Sequence, residues 1–350
     1  MIAADSKAAA DSIPGALRKH PPVAWKEIAE PVEPFLEAVA VRLARQVREF
    51  DPGIAAYAEY ALTGQGKQLR PALVALSARA IGPVGDAHVT VAVIIEMVHL
   101  ATLVHDDVMD EAEIRRGRLT VGANWGNEIA VLFGDCLFAH ALKLAAGFPT
   151  PEICRAVATA TNTVCTGEIL QTRNRRNFEL PQAEYFRFLE MKTAELFALS
   201  CELGGCLAGA PLTERAGLRA FGLALGTAYQ IYDDCLDLFG TEAAAGKSLG
   251  TDLAKGKLTL PMLLLWERAD AASRAELQGW IAHWQPAAVP ALRGLLDRHD
   301  ALGASLLVVE RYLDQARQAL QALPAGANLT GLLSLADFLA QQTAALAGRA

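Results

Sequence analysis

Two short acidic stretches carry the chemistry that this sequence could perform. They read Asp106-Asp107-Val108-Met109-Asp110 and Asp233-Asp234-Cys235-Leu236-Asp237, the same DDxxD pattern twice. Each closes a long apolar run with helical spacing, so the first and last carboxylates of each stretch share one helix face. Close carboxylates repel one another unless cations lie among them. Mg²⁺ binds one or two carboxylates and completes its shell with substrate phosphates, so the pattern predicts a magnesium site built from Asp106, Asp107, Asp110, Asp233, Asp234 and Asp237.

A single cluster of this kind could equally be a solvated helix end. Two copies, each closing an apolar run, instead favour a pair of acidic clusters that grip a polyanion between metal ions.

The length, composition and net charge limit the class of protein. The chain has 350 residues, of which 52% are hydrophobic, and its formal charge is 32 − 39 = −7. A negative chain of this size argues against nucleic acid as a partner. The six cysteines form no CxxC pair, which is typical of reduced thiols in a cytoplasmic protein. Residues 1–19 lack the apolar core of a signal peptide, and the apolar run 89–104 contains Glu96 and His99, so we expect a buried helix and no integral membrane segment.

The pattern along the chain predicts an all-α protein. Apolar residues recur at helical spacing in most segments, and no stretch alternates with the period of a strand. We expect a single-domain multi-helix bundle around a central cavity, spanning 21–350 after a disordered tail at 1–20. The two longest helices are expected to begin at Asp86 and Leu212 and to end in the acidic clusters. In the second, Gly222 and Gly226 share a face and allow a close helix contact.

Basic residues that could bind phosphate oxygens lie in four places along the chain. Arginine matches phosphate oxygens as a fork and lysine as a point charge. Any one of them taken alone could be a solvated surface charge. The candidates are Lys67 and Arg70 before a helix, Arg115 and Arg116 after the first cluster, Lys192 within a helix, and Lys247 and Lys257 after the second cluster. Because Lys192 interrupts a helix between Leu189 and Leu196, we expect its charge to point into a polar cavity.

Separate acidic and basic patches suggest two diphosphate groups, one chelated through metal ions and one held by Lys and Arg alone. The reaction that needs this set is ionisation of an allylic diphosphate, followed by attack of a second alkene on the carbocation. His99 could be a ligand or a buried, hydrogen-bonded histidine. Gln230, one turn before Asp233, could face the developing positive charge or simply bond to a neighbouring helix.

At this point the sequence resembles the trans-isoprenyl diphosphate synthases, or polyprenyl synthetases. The resemblance runs from about Gly64 to Pro261 and preserves the family's motif order. It rests on GKQLRP at Gly66–Pro71, HDDVMD followed by Arg115-Arg116-Gly117, Gly167-Glu168 with Gln171, the pair Lys192-Thr193, YQIYDDCLD at Tyr229–Asp237 and the Gly/Lys-rich loop Gly246–Pro261. Gln68 departs from the usual GKRLRP and removes one possible phosphate contact.

The resemblance implies the isoprenoid synthase fold, a role for each matching residue, three Mg²⁺ ions per active site and a homodimer. Residues 127–171 are candidates for the dimer interface. Isopentenyl diphosphate would be bound by Lys67, Arg70, His99 and Arg116. An allylic diphosphate would be held by Arg115, Lys192, Lys247 and Lys257, and through Mg²⁺ by the six aspartates. Thr193 and Gln230 would steady the carbocation, so that the residues closest to the chemistry are Asp106, Asp110, Lys192, Thr193, Gln230 and Asp233.

Product length has its own signature in the helix before Asp106. A bulky residue at Ala101 or Thr102 would make a floor for a short product, and Met97 and Val98 lie deeper. The small side chains predict an open tunnel and a product longer than geranylgeranyl diphosphate, of the kind used as a quinone side chain. Phe133, Phe138 or His140 could form a deeper floor.

Four readings of the function remain open. They are a long-chain synthase, a short-chain farnesyl or geranylgeranyl diphosphate synthase, a terpene cyclase or head-to-head synthase, and a non-catalytic subunit of a heteromeric synthase. Cyclases usually carry one DDxxD, and non-catalytic subunits typically have degraded clusters, whereas all six aspartates are present here.

Overall fold

The computed structural model describes residues 24–63, 66–240 and 250–348. The predicted tail at 1–20 and the candidate Lys247 lie outside the described residues. Within them the chain is almost entirely helical, which confirms the predicted all-α class.

The helices follow one another with short connections. They are α1 (Trp25–Ala29), α2 (Glu33–Gln46), α3 (Ala55–Leu62), α4 (Leu69–Ile81), α5 (Asp86–Met109), α6 (Val121–Trp125), α7 (Asn127–Ala146), α8 (Pro151–Arg173), α9 (Gln182–Leu189), α10 (Glu195–Leu207), α11 (Leu212–Phe239), α12 (Thr251–Ala254), α13 (Leu260–Arg268), α14 (Ala271–Ala282), α15 (Val289–Arg298), α16 (Ala301–Ala319) and α17 (Thr330–Ala347). Short 3₁₀ turns lie at Glu30–Val32, Val47–Glu49, Pro52–Ile54, Pro286–Ala288 and Leu320–Ala322, and a π-helical turn, Glu190–Ala194, joins α9 to α10.

A small hairpin interrupts the helical pattern in a stretch where the sequence shows no strand alternation. Strands β1 (Ile114–Arg115) and β2 (Arg118–Leu119) pair antiparallel. Arg116 and Gly117 between them both have positive φ, 51° and 74°, as a two-residue type I′ turn requires. Two-residue strands are too short to produce a visible alternation in the sequence.

Two apolar clusters share α4 and α10. One gathers side chains of α5, α7 and α8, and the other gathers those of α11, α13, α16 and α17. Because α4 and α10 contribute to both, they join the helix that carries the first acidic cluster to the helix that carries the second.

Glycines on α11 bring it against the π turn. An added Cβ at Gly226 would lie 2.7 Å from the Cα of Ala194, and one at Gly222 would lie 2.6 Å from the carbonyl oxygen of Phe197. The predicted close contact at these two glycines is therefore present. It holds the backbone of Lys192 and Thr193 beside α11.

Two helices, α5 and α7, are long and apolar enough to pass a length-and-composition test for a membrane span. The apolar window of α5 is 61% buried, as expected for a core helix, whereas that of α7 is 39% buried. The outer face of α7 thus leaves apolar side chains exposed.

Candidate active site

The two acidic clusters meet at one cavity of about 920 Å³. Asp106 from the end of α5 and Asp233 from α11 both line it. Of the other site residues predicted from the sequence, those that line the same space are Lys67, Arg70, His99, Thr102, Arg115, Arg116, Lys192, Thr193 and Gln230. Carboxylates, cations and apolar side chains from distant parts of the chain therefore border a single volume.

Each carboxylate of the first cluster faces a cation. Lys192 Nζ lies 3.7 Å from Asp106 Oδ2, and Arg115 Nε donates a hydrogen bond of 2.7 Å to Asp107 Oδ1. Asp110 has two basic partners: Arg175 Nη2 at 3.1 Å from Oδ1 and Lys257 Nζ at 2.9 Å from Oδ2.

The charges shift the pKa values of this cluster in different directions. Burial raises the pKa of Asp106, and Lys192 opposes the shift. Burial also raises the pKa of Asp107, against the attraction of Arg115. Burial acts the same way on Asp110, but Lys257, Lys192 and Arg175 together outweigh it and lower its pKa. Asp110 is therefore the carboxylate of this cluster that the surrounding cations hold most firmly in its ionised form.

Lys192 occupies the centre of a polar network. Its ammonium pairs closely with Glu168 and donates to Gln171 Oε1 at 3.2 Å. Burial would lower the pKa of Lys192, but Asp106 and Glu168 raise it above its usual value. The sequence expectation that this mid-helix lysine points into a polar space is confirmed.

The π turn explains how Lys192 and Thr193 reach the cavity together. One wide turn within a helix shifts the following side chains around the axis, and such turns are frequent at functional sites. Gly167 of α8 allows the turn to approach, because a Cβ there would lie 2.7 Å from the Cβ of Met191 and 2.9 Å from the backbone nitrogen of Lys192.

The second cluster is more deeply buried than the first. Asp233 lines the cavity, while Asp234 accepts hydrogen bonds from Tyr185 Oη at 2.7 Å and Gln230 Nε2 at 2.8 Å. Burial, with a further contribution from Asp252, raises the pKa of Asp234 to about 8. Asp237 is fully buried, and its Oδ2 accepts from the backbone of Asp252 at 3.3 Å.

A smaller cavity of about 70 Å³ adjoins this cluster. Lys192, Thr193 and Gln230 line both cavities, and Asp234 and Lys257 line the small one. The two spaces therefore share the residues that separate the first acidic cluster from the second.

A second basic group, formed by Lys67, Arg70 and Arg116, borders the cavity apart from the ion pairs of the first acidic cluster. The guanidinium of Arg116 packs so closely on Gly66 that an added Cβ there would lie 2.5 Å from Nη1. Gln68 has a left-handed backbone with φ of 49° and lines the cavity beside Lys67. A methyl group added at the glycine of the GKQLRP motif would therefore displace the Arg116 guanidinium.

Arg70 is partly buried, and its guanidinium carbon lies 5.0 Å from the centre of the Phe197 ring. Burial lowers the pKa of Arg70, against the attraction of Glu96. Burial, with Arg70 and Arg116 next, lowers the pKa of His99 well below its usual value. His99 is therefore neutral at pH 7 and can donate one hydrogen bond to an anion.

The donor set fits Mg²⁺, although it is not a closed cage. Among the residues that the structure describes, no three His, Cys, Asp or Glu side chains are gathered closely enough to hold a metal ion by themselves. Mg²⁺ usually takes only one or two carboxylates and keeps sites for phosphate oxygens. Carboxylates on two opposed elements beside a shared cavity match that requirement.

The predicted chain-length residues fall in two places. Thr102 lines the cavity, whereas Met97, Val98 and Ala101 are buried in the core and do not belong to its lining. Successive residues turn by about 100° around a helix, so positions three, four and seven before Asp106 share its side and position five does not. Of the deeper candidates, Phe138 lines the cavity, whereas Phe133 and His140 are buried outside its lining.

Several site residues were missed from the sequence. Glu96, Glu168 and Arg175 carry charge into the site, and Tyr185 binds Asp234. Glu168 belongs to the Gly167-Glu168 motif of the family resemblance, and Arg175 lies in the basic stretch 173–176. Their partners are 24 and 65 residues away in the chain, so only the tertiary contacts assign them to the site.

Comparison with known proteins places this geometry in a family. The polyprenyl synthetase model matches residues 51–295. An octaprenyl diphosphate synthase from Haemophilus influenzae is 32% identical over 321 residues, which cover 91% of this chain and 98% of the relative.

Two crystal structures are similar over nearly their whole length. A decaprenyl diphosphate synthase from Rhodobacter capsulatus superposes with a TM-score of 0.85 at 33% identity, covering 91% of this chain and 99% of that one. A polyprenyl synthase from Caulobacter crescentus CB15, complexed with calcium and isoprenyl diphosphate, has a TM-score of 0.85 at 34% identity, covering 92% and 98%. The chain therefore belongs to the polyprenyl synthetase family.

Proposed function

We propose that the protein is a Mg²⁺-dependent prenyltransferase that condenses isopentenyl diphosphate head to tail with an allylic diphosphate. The product is a long-chain trans-polyprenyl diphosphate. One observation carries the proposal: Asp106 and Asp233 border the same cavity as two separate basic groups. That arrangement suits two diphosphates, one held through metal ions and one held by side chains.

The allylic diphosphate would lie between the acidic clusters. The oxygen ligands that border the cavity would come from Asp106 and Asp233. Asp110, which lies against two basic side chains, would supply a third ligand. The remaining aspartates would complete the donor set. Bound Mg²⁺, three ions per site, stabilises the negative charge of the departing diphosphate. Lys192 and Lys257, which contact Asp106 and Asp110, would turn to the same phosphate oxygens, and Arg115 would contribute from beside Asp107. Lys247 belongs to the same proposed group through the family resemblance.

Isopentenyl diphosphate would bind at the other basic group. Lys67, Arg70 and Arg116 line the cavity without an acidic cluster beside them. His99, neutral at pH 7, adds a hydrogen-bond donor that does not require a counter-ion. Because the two diphosphates would bind at separate groups, the allylic diphosphate can leave while isopentenyl diphosphate stays bound.

The carbocation formed between them needs a polar but non-nucleophilic wall. Thr193 and Gln230 provide hydroxyl and amide dipoles that are already oriented by hydrogen bonds, so little reorganisation is required when charge develops. The proton released in each cycle would pass to the departed diphosphate.

A long product is favoured by the cavity wall and by the relatives. Apolar side chains from several helices line the cavity, including Leu100, Leu103, Phe138 and Leu196. The similar proteins include synthases named for octaprenyl and decaprenyl products. We infer a product longer than geranylgeranyl diphosphate.

We further propose a cytoplasmic homodimer without an integral membrane segment. Large apolar side chains are exposed on α7, where Val131 and Leu132 are 42% and 62% exposed. Exposed apolar surface of this kind supports an interaction surface on α7. A second copy seated there would bury the apolar face of α7.

The reaction distinguishes this function from its alternatives. Purified protein with Mg²⁺ is expected to release pyrophosphate only when farnesyl and isopentenyl diphosphates are both present. Release from farnesyl diphosphate alone would indicate a cyclase or a head-to-head synthase. No release from the single chain would indicate a non-catalytic subunit.

A further inference from the structure

Two loops beside the first acidic cluster are joined through their backbones. The amide of Arg176, after α8, donates a hydrogen bond of 2.7 Å to the carbonyl oxygen of Gly256. Both residues have positive φ, 61° and 70°, and an added Cβ at Gly256 would lie 2.7 Å from Cγ of Arg176. The loop that follows α8 is therefore fixed on the loop that carries Lys257.

This joint delivers two cations to one carboxylate. Arg175 Nη2 lies 3.1 Å from Asp110 Oδ1, and Lys257 Nζ lies 2.9 Å from Asp110 Oδ2. The two oxygens of Asp110 are thus held separately, one by a residue in each loop.

The two cations are not equivalent. Lys257 has a flexible stem and borders the small cavity that adjoins the second acidic cluster. Arg175 is a rigid fork, three-quarters buried, and its Nε is buried without a hydrogen-bond partner among the described residues. A planar guanidinium fixes the orientation of a carboxylate more strongly than an ammonium does, so Arg175 is the group suited to hold Asp110 in place.

We propose that Arg175 is a positioning residue for the metal site. It keeps Oδ1 of Asp110 while Oδ2 becomes available to Mg²⁺ as Lys257 turns to the diphosphate. This inference rests on the proposed function, since it assumes that Asp110 is a magnesium ligand. Ligating carboxylates are oriented by their outer hydrogen-bond partners, and loss of such a partner weakens metal binding by about 10- to 100-fold.

The test measures binding rather than turnover. Inorganic pyrophosphate is titrated calorimetrically into wild-type protein, Arg175→Ala, Arg175→Lys and Arg173→Ala at a series of Mg²⁺ concentrations. Arg173 is an exposed neighbour at the end of α8 and serves as the matched control. For Arg175→Ala we expect half-saturation at about tenfold higher Mg²⁺, with pyrophosphate affinity recovered at saturating Mg²⁺. Arg175→Lys should recover part of the loss, and Arg173→Ala should match wild type.

Two results would overturn the assignment, and a third would remove the proposed function on which it rests. An unchanged or lower Mg²⁺ requirement in Arg175→Ala would mean that the guanidinium does not support the ligand, or repels the ion. A loss of pyrophosphate affinity that persists at saturating Mg²⁺ would move Arg175 onto the diphosphate itself. Wild-type protein that binds pyrophosphate without regard to Mg²⁺ would instead remove the proposed function. Thermal unfolding of each variant shows that it is folded, and Arg175→Lys decides the question if the alanine variant is not.

Discussion

Thr193 Oγ1 donates a hydrogen bond of 2.9 Å to Oε1 of Gln230, which ties the π turn to α11. The amide nitrogen of Gln230 in turn donates to Asp234 at 2.8 Å. The orientation of the Gln230 amide is therefore fixed from both ends. A dipole held in this way can face a carbocation without rotating toward it.

Replacing Thr193 by valine removes this tie with little change in volume. A net hydrogen bond contributes about 1 kcal/mol, so kcat should fall by about fivefold to tenfold, while KM for both substrates changes little. Steady-state kinetics test this. Thr343→Val is the control, because Thr343 is also buried and donates to the carbonyl oxygen of Leu339 in its own helix; it should lower the melting temperature and leave kcat unchanged. Equal effects of the two variants on kcat would contradict a role for Thr193 in the reaction.

The raised pKa of Asp234 predicts that a proton is released when magnesium pyrophosphate binds. Its pKa is raised to about 8, so it is largely protonated at pH 7, and a bound cation requires the ionised form. Binding of magnesium pyrophosphate at pH 7 should therefore release a proton, and the release should fade as the pH rises through about 8. Calorimetry in buffers of different ionisation enthalpy measures it.

Asp234→Asn is the control for that measurement. The variant has no proton to lose at this position, so the buffer-dependent part of the binding enthalpy should decrease. An identical buffer dependence in the variant would assign the proton to another group.

Gly66→Ala tests the contact between the GKQLRP loop and Arg116. The added methyl would overlap the end of a flexible arginine, so the fold should tolerate it while the guanidinium moves. We expect KM for isopentenyl diphosphate to rise about tenfold, equivalent to one lost charged hydrogen bond of about 1.5 kcal/mol, with KM for the allylic substrate unchanged. Gly279→Ala, where an added Cβ meets no atom of the described residues within 4 Å, should behave as wild type. A rise in both KM values would indicate a general disturbance.

Gly226→Ala tests the packing of α11 on the π turn. Here the added Cβ meets backbone, at 2.7 Å from the Cα of Ala194, and backbone cannot rotate away. Overpacking of this kind destabilises a protein by about 1–3 kcal/mol, which chemical denaturation measures. Gly294→Ala is the matched control, because among the described residues an added Cβ there meets one atom within 4 Å, Nη1 of Arg298 at 3.8 Å. A variant as stable as wild type would mean that α11 is free to shift.

Thr102→Phe tests the path of the growing chain. Thr102 lines the cavity about one turn before Asp106, so a phenyl ring there should shorten the product. Product chromatography checks the length distribution, and Thr102→Ala should retain the wild-type distribution. An unchanged distribution in Thr102→Phe would place the chain along another wall.

The sequence predicted what depends on local pattern. The helix Asp86–Met109, the placement of Lys192 in a polar space and the contact at Gly222 and Gly226 all follow from spacing along one or two helices. Ala101, which the sequence suggested for the tunnel wall, is buried on another side of the helix from Asp106 and is not in the cavity lining. Tyr185 and Arg175 could not be assigned, since their roles arise only where loops or helices far apart in the chain meet.

The mass of the product tests the central claim most directly. Purified protein is incubated with farnesyl diphosphate, isopentenyl diphosphate and Mg²⁺, and the extracted product is analysed by mass spectrometry. A linear polyprenyl diphosphate longer than geranylgeranyl diphosphate, absent when Mg²⁺ is chelated, is the predicted result. A cyclised hydrocarbon, a product that stops at geranylgeranyl diphosphate, or condensation that proceeds without a divalent ion would contradict it.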